Sequence, residues 1–208
     1  MTAGTEHDRE LDSDLVSIIM PTYNCGAFIA ETIATVQAQT HPRWELIVVD
    51  DCSTDDTTEV VGALAKDDPR IRYVRLETNS GAAMARNRAM ELAQGRYMAF
   101  LDSDDLWHPD KLRRQIDFMT SRDVAMSCTA YAQIDEQGVP TGRIVRSPAR
   151  ISYNRLLLDC QVATPPSCTT WRAWASSRFP TSASATTTPC GCACSAPSPT
   201  SGGCRWCS

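Results

Sequence analysis

Residues 44–57, WELIVVDDCSTDDT, decide the architecture of this chain. Glu45 to Val49 reads as a strand buried on both faces, because its apolar residues run consecutively instead of alternating. It opens onto Asp50-Asp51-Cys52-Ser53-Thr54-Asp55, where Ser53 or Thr54 would cap a helix running to about Lys66. Working upstream, Leu15 to Met20 (LVSIIM) is a similar strand, stopped by Pro21. Phe28, Ile29, Ile33 and Val36 then recur at helical spacing, and His41-Pro42 closes that helix. Working downstream, Ile71 to Leu76 is a third strand. Gly81 opens an alanine-rich helix with Ala85, Ala89 and Leu92 on one face, ended by Gly95. Tyr97 to Leu101 (YMAFL) is a fourth strand, ending in Asp102-Ser103-Asp104-Asp105. Pro109 starts a helix to about Met119, and Val124 to Ile134 reads as one further strand before a turn at Glu136-Gln137-Gly138.

Strands alternating with helices predict an α/β fold, a mostly parallel sheet flanked by helices on both faces. Ligands of such sheets bind beyond the carboxyl ends of the strands. Three strand ends here carry polar clusters: Pro21 to Asn24, Asp50-Asp51, and Asp102 to Asp105. They should converge on one crevice.

Each cluster has two readings. Asp102 and Asp104, two residues apart at a strand end, can both turn toward one hard divalent cation that also binds phosphates. Equally, they form a solvated turn before the next helix, a role that suits Asp105. Asp50-Asp51 can accept hydrogen bonds from a nucleobase or ribose, or can cap the helix that follows. An acidic pair at this place also occurs in phospho-accepting receiver domains, but no lysine follows a later strand here as those require. Tyr23, beside Pro21, can stack on a base or simply pack. Gly81 with Ala82-Ala83 lets a helix N-terminus approach a diphosphate, with Arg86 and Asn87 one turn in. His41 and His108 sit beside prolines and receive no role.

At 208 residues the chain is one domain, or one domain with an appendage, and its net charge of −5 argues against a partner such as nucleic acid. No apolar run approaches the roughly 18–20 residues of a membrane span. The polar, acidic first 14 residues, expected to be disordered, do not resemble a secretory signal, which predicts a cytoplasmic protein. Ten cysteines are unevenly spread, with six in residues 161–208. That stretch holds three charged residues, Arg172, Arg178 and Arg205, and no Leu, Ile, Val, Met, Asp, Glu or Lys from Ala163 onward. It has little to bury against the entropy of ordering, so the folded domain is expected to span residues 15–160, followed by a disordered tail. Cys190-Gly191-Cys192-Ala193-Cys194 has poor geometry for a tetrahedral metal site, even with Cys204 and Cys207. Without a secretory signal, a disulfide scaffold is equally disfavoured.

The order and spacing of VSIIMPTYN (16–24), WELIVVDDCSTDDT (44–57) and NSGAAMARNRAMELAQGRYMAFLDSDDLWHPDKL (79–112) resemble a family 2 glycosyltransferase with the GT-A fold. The resemblance runs from Val16 to about Leu112 and weakens toward residue 160. It implies an enzyme that uses a nucleotide-diphosphate sugar and Mg²⁺ or Mn²⁺ and inverts the anomeric carbon. By position, it places Pro21 and Tyr23 against the nucleobase, with Asp51 accepting hydrogen bonds from it and Asp50 supporting that loop. Gly81, Arg86 and Asn87 line the diphosphate, and Asp102 and Asp104 match the family's DxD motif, Asp104 being the direct metal ligand. Relatives of this pattern build cell-envelope polysaccharides on glycan or lipid-linked acceptors, which implies peripheral membrane association at the inner face.

The resemblance also implies a general base, an acidic residue in the acceptor half, yet no Asp or Glu follows Asp159. The tail offers a cause. Read in another frame, the codons behind residues 186–195 permit an acidic pair followed by an apolar helix, and those behind residues 166–170 and 179–183 permit family-like segments. Loss of one base near Pro165 would account for the composition. A nucleotide-sugar-binding remnant without transfer activity is the alternative to an enzyme.

Overall fold

The computed structural model describes residues 12–135, 137–146, 167–170 and 205–207. Its main sheet is built from β1 (Asp12–Thr22), β2 (Trp44–Asp50), β3 (Ile71–Arg75), β4 (Gly95–Phe100), β5 (Met126–Cys128) and β8 (Ser167–Thr170), in the order β3-β2-β1-β4-β8-β5. Strands β1 to β4 are mutually parallel, whereas β8 runs antiparallel to both β4 and β5. A second, three-stranded sheet pairs β6 (Tyr131–Ile134) with β7 (Pro140–Val145) and β9 (Arg205–Cys207). Among the described residues there are four helices: α1 (Gly26–Gln37), α2 (Thr57–Asp67), α3 (Ala82–Leu92) and α4 (Lys111–Arg122). The predicted α/β class with a mostly parallel sheet is therefore present.

Strand parity assigns the two faces. Val16, Ile18, Met20, Leu46, Val48, Ala99 and Leu101 share one core with Ile29 and Ile33 of α1, Val61 of α2 and Leu112 of α4. Ile19, Ile47, Val49, Met98 and Phe100 point the other way and pack on Ala85, Ala89 and Met90 of α3. Leu46 to Val49 are all fully buried, which explains their unbroken apolar run; each stabilises the fold by about 1.5–3 kcal/mol. Small residues on α3 let it lie close to the sheet. Gly95 is needed where β4 starts, because a Cβ there would collide with the backbone carbonyl of Leu15.

Several boundaries differ from expectation. Pro21 continues β1, pairing in register with Val49. The Ile19 carbonyl accepts the Leu101 N–H on the β4 side, so Pro21, two residues on, turns its missing donor toward that same side, where the β4 ladder has already ended. Strand β1 starts at Asp12, inside the segment expected to be disordered; residues 1–11 lie outside the described residues. Val124 to Ile134 is two strands in two sheets, with a break that neither glycine nor proline marks. The main sheet also reaches past residue 160. Backbone pairing at the edge of β4 makes few demands on side chains, and β8 supplies it with Cys168 fully buried. The other tail residues, except β9, lie outside the described residues.

Candidate active site

The carboxyl ends of β1 to β4 lie along one edge of the sheet, and hydrogen bonds tie together the loops that follow them. Asp50 and Asp51 are neighbours, so they point to opposite sides of β2. Asp50 is completely buried on the α1/α2 side. Its Oδ1 accepts the Ser53 N–H at 2.8 Å and the Ser53 hydroxyl at 2.5 Å. Its Oδ2 accepts Tyr73 Oη at 2.6 Å and Thr58 Oγ1 at 3.2 Å. Burial, reinforced by Asp50, pushes the Tyr73 hydroxyl up to about 12. Arg75, two residues along β3, donates to Thr58 Oγ1 and to the Ser53 carbonyl, both at 2.8 Å. Asp50 thus supports its loop, as the resemblance implies. Ser53 serves Asp50 and does not cap α2, whose N-cap is Asp56.

Asp51, 3% exposed, faces the α3 side. Its Oδ1 accepts the Ser80 N–H and its Oδ2 the Gly81 N–H, each at 2.7 Å. The Asp51 carbonyl accepts Asn79 Nδ2 at 3.1 Å. Cys52 takes a left-handed turn (φ 67°) directly after it and donates its thiol to the Leu76 carbonyl. Gly81, also at positive φ (88°), then starts α3. A carboxylate oxygen can accept more than one donor, so Asp51 organises the helix start while keeping lone pairs in hand.

The β1–α1 loop is tied to the same framework. Asn24, left-handed with φ 49°, accepts the Thr54 N–H through Oδ1 at 2.8 Å and donates its own N–H to Ser53 Oγ at 2.9 Å. Pro21 is buried, while Tyr23 stands half exposed. An exposed aromatic face can stack on a planar ligand.

Two residues past the end of β4, Asp102 keeps the parity of Phe100 and so faces α3. There Arg86 Nη2 donates to Asp102 Oδ1 at 2.6 Å, in a largely buried ion pair. Arg86 Nε is buried with no hydrogen-bond partner among the described residues, and Asn87 is buried beside it. The Asp105 N–H returns to the Asp102 carbonyl at 3.1 Å, and Thr32 Oγ1 of α1 donates to the Ser103 carbonyl at 3.0 Å. Together these pin the turn carrying Asp102 and Asp104. Asp104 is partly exposed, and Asp105 is buried.

Pro21, Tyr23, Asp50, Asp51, Gly81, Arg86, Asn87, Asp102 and Asp104 all lie at or next to the carboxyl edge of the parallel strands, with Asp50 on the α1/α2 side and Asp51 on the α3 side. The sequence reading missed Ser53, Thr58, Tyr73 and Arg75, which fix Asp50, and the Asn79-Ser80 pair that meets Asp51. The alternation of Tyr73 and Arg75 along β3 was the available signal. As a donor set, two carboxylates at one strand end suit a hard cation that takes its other ligands from phosphate and water. No group of three or more acidic, His or Cys side chains is assembled for a metal among the described residues. A cage made entirely of protein ligands is thus not the arrangement found.

Known proteins share this frame. The Bacillus subtilis protein TuaG, named as a teichuronic acid biosynthesis glycosyltransferase, is 49% identical over 143 residues, covering 69% of this chain and 57% of its own. The Escherichia coli protein WfgD, a UDP-Glc:alpha-D-GlcNAc-diphosphoundecaprenol beta-1,3-glucosyltransferase, is 42% identical over 152 residues, 73% of this chain and 58% of its own. The chain thus spans somewhat over half the length of these relatives. The crystal structure of S. aureus TarS 1-349 in complex with UDP superposes with a TM-score of 0.61 at 26% identity, over 80% of this chain and 50% of that one. The sequence pattern of the glycosyl transferase family 2 matches residues 17–178. With that match over most of its length, and with the GT-A fold of TarS, this chain belongs to glycosyl transferase family 2.

Proposed function

We propose that this chain binds a nucleotide-diphosphate sugar at this strand edge and transfers the sugar, with inversion, to an acceptor hydroxyl in cell-envelope polysaccharide synthesis. The observation that carries the reading is the joining of Asp51 after β2 and Asp102 after β4 to one helix, α3, the first through backbone N–H groups at its start and the second through Arg86. Tyr23 and Pro21 would hold the base, Asp51 would accept from its N–H, and the Gly81 turn and Asn87 would face the diphosphate. Asp104, with Asp102, would hold Mg²⁺ or Mn²⁺. Such a cation neutralises charge that builds on the departing nucleoside diphosphate. Arg86 keeps the Asp102 carboxylate aimed into the site, and the rigid loops fix the sugar for in-line attack.

A TarS complex with UDP-GlcNAc, 25% identical with a TM-score of 0.59, supports the donor class. The diphosphoundecaprenol acceptor in the name of WfgD supports a lipid-linked or glycan acceptor, and with it work at the inner membrane face. No described helix is long and apolar enough to cross a membrane.

Asp104→Ala tests the reading: it should abolish Mn²⁺-dependent binding of UDP sugars in calorimetry and leave the unfolding midpoint nearly unchanged. Full turnover by this variant would refute it. The second reading is a nucleotide-sugar-binding remnant without transfer activity, favoured by the composition of residues 160–208, which hold no Asp or Glu. A transfer assay separates the two. We also propose that residues after Pro165 are translated out of frame; sequencing across that codon decides it, and an intact frame overturns it.

A further inference from the structure

Helix α1 carries polar side chains on a face that should be apolar. Thr32 and Thr35 lie one turn apart, and Gln39 follows just past the helix end. Ile29, Ile33 and Val36 around them are fully buried, and so is Thr32. All three polar side chains serve the loop between β4 and α4. Thr32 Oγ1 donates to the Ser103 carbonyl at 3.0 Å, and Thr35 Oγ1 accepts the Trp107 N–H at 3.2 Å. Gln39 donates Nε2 to the His108 carbonyl at 2.8 Å and accepts the Leu112 N–H at 3.1 Å. Thr35 and Gln39 thus tie down the part of the loop that leads into α4, whereas Thr32 reaches the acidic turn itself. A valine would fill the same space without needing a partner, so a buried hydroxyl here calls for a use.

The bond from the Asp105 N–H to the Asp102 carbonyl closes a four-residue turn with Ser103 and Asp104 at its centre. The Ser103 carbonyl belongs to the central peptide, and the planarity of that peptide sets where the nitrogen and Cα of Asp104 lie. The two common forms of such a turn differ by a flip of this one peptide, and the flipped form puts the third residue at positive φ. Aspartate tolerates that conformation, so the sequence does not forbid the flip. Asp104 is not at positive φ, and the Thr32 hydroxyl meets the central carbonyl in this unflipped form. We propose that Thr32 is a positioning residue for the metal-binding turn: its hydroxyl holds the Ser103–Asp104 peptide against flipping, so that Asp104 presents its carboxylate to the cation together with Asp102. This rests on the reading of Asp102 and Asp104 as the metal pair.

The test measures Mn²⁺ affinity in the presence of UDP, together with thermal unfolding, on the full chain. Wild-type protein and Asp104→Ala come first. Equal Mn²⁺ affinity in these two would refute the metal pair itself, and the proposal with it. If the pair stands, Thr32→Val, which keeps the shape and removes the donor, should weaken Mn²⁺ binding by about tenfold. Thr32→Ser, which keeps the donor, should bind Mn²⁺ as wild type does, even where its midpoint falls with the lost methyl. A tie that only stabilises the fold would shift the midpoints and leave Mn²⁺ affinity unchanged in both. Thr32→Ala gives the same readout as the valine variant should that one not fold. Wild-type Mn²⁺ affinity in a folded variant without the hydroxyl, an equal loss in Thr32→Ser, or loss of the fold in both Thr32→Val and Thr32→Ala, overturns the proposal.

Discussion

Replacing Asp51 with Asn changes one atom and should unfasten the start of α3. In the native chain each carboxylate oxygen accepts one backbone N–H, from Ser80 and from Gly81, both at 2.7 Å. An amide offers one acceptor and two donors, so it can satisfy only one of these N–H groups and must present a donor to the other. Backbone donors cannot rotate to become acceptors, as the hydroxyls around Asp50 can. The loss is one charge-assisted hydrogen bond, about 2 kcal/mol, or roughly thirty-fold in the equilibrium for opening the loop. Hydrogen exchange followed by NMR reads it directly: the Ser80 and Gly81 amides should exchange roughly thirty-fold faster in Asp51→Asn. Amides in the middle of β2 should be untouched, because the opening is local. UDP affinity should fall with it. Unchanged exchange at both amides would refute the argument, since it would mean the clamp contributes nothing to the order of that loop.

Two further outcomes test the frame. Gly95→Ala places a methyl against the Leu15 carbonyl, where only backbone can yield, and should lower stability by about 2–3 kcal/mol in urea unfolding. Asp68 is held down to about 2, chiefly by hydrogen bonds from Arg70, so its contribution is complete above the usual 3.8 and is lost as pH falls through about 2. With Arg70 half exposed the contribution is about 1–2 kcal/mol, and the stability gap between wild type and Asp68→Asn should close as pH falls from about 4 to about 2.

Much of this was readable in advance. The unbroken apolar runs of β2 and β4 announce strands covered on both sides, and the polar residues that end them locate the candidate site. Parity even assigns the acidic pair: Asp50 follows Val48 to the α1/α2 side, and Asp51 follows Val49 to the α3 side. What lay hidden depends on contacts distant in the chain. Ser53 sits where a helix cap belongs, yet it turns back to Asp50 because Tyr73 and Thr58 close the same carboxylate from β3 and α2. Pro21 looks like a strand end until the place where β4 stops is known. The burial of Lys111, the first residue of α4, leaves no trace in a helix start that reads as solvent-facing.

The position of β8 between β4 and β5 has a consequence for how the chain is made. Strands β1 to β4 can assemble as soon as residue 100 has emerged, since each pairs with a strand already synthesised. The outer edge of β4 must then wait for residues 167–170, with its row of N–H and C=O groups unpaired in the meantime. Strand β5, made earlier, cannot shield it, because β5 reaches the sheet only through β8. Closing that gap is a late, long-range step and should set the pace of folding. Until it is complete, the half-built sheet offers a template for pairing with another copy, so yield in the cell should respond to how quickly that one strand is delivered.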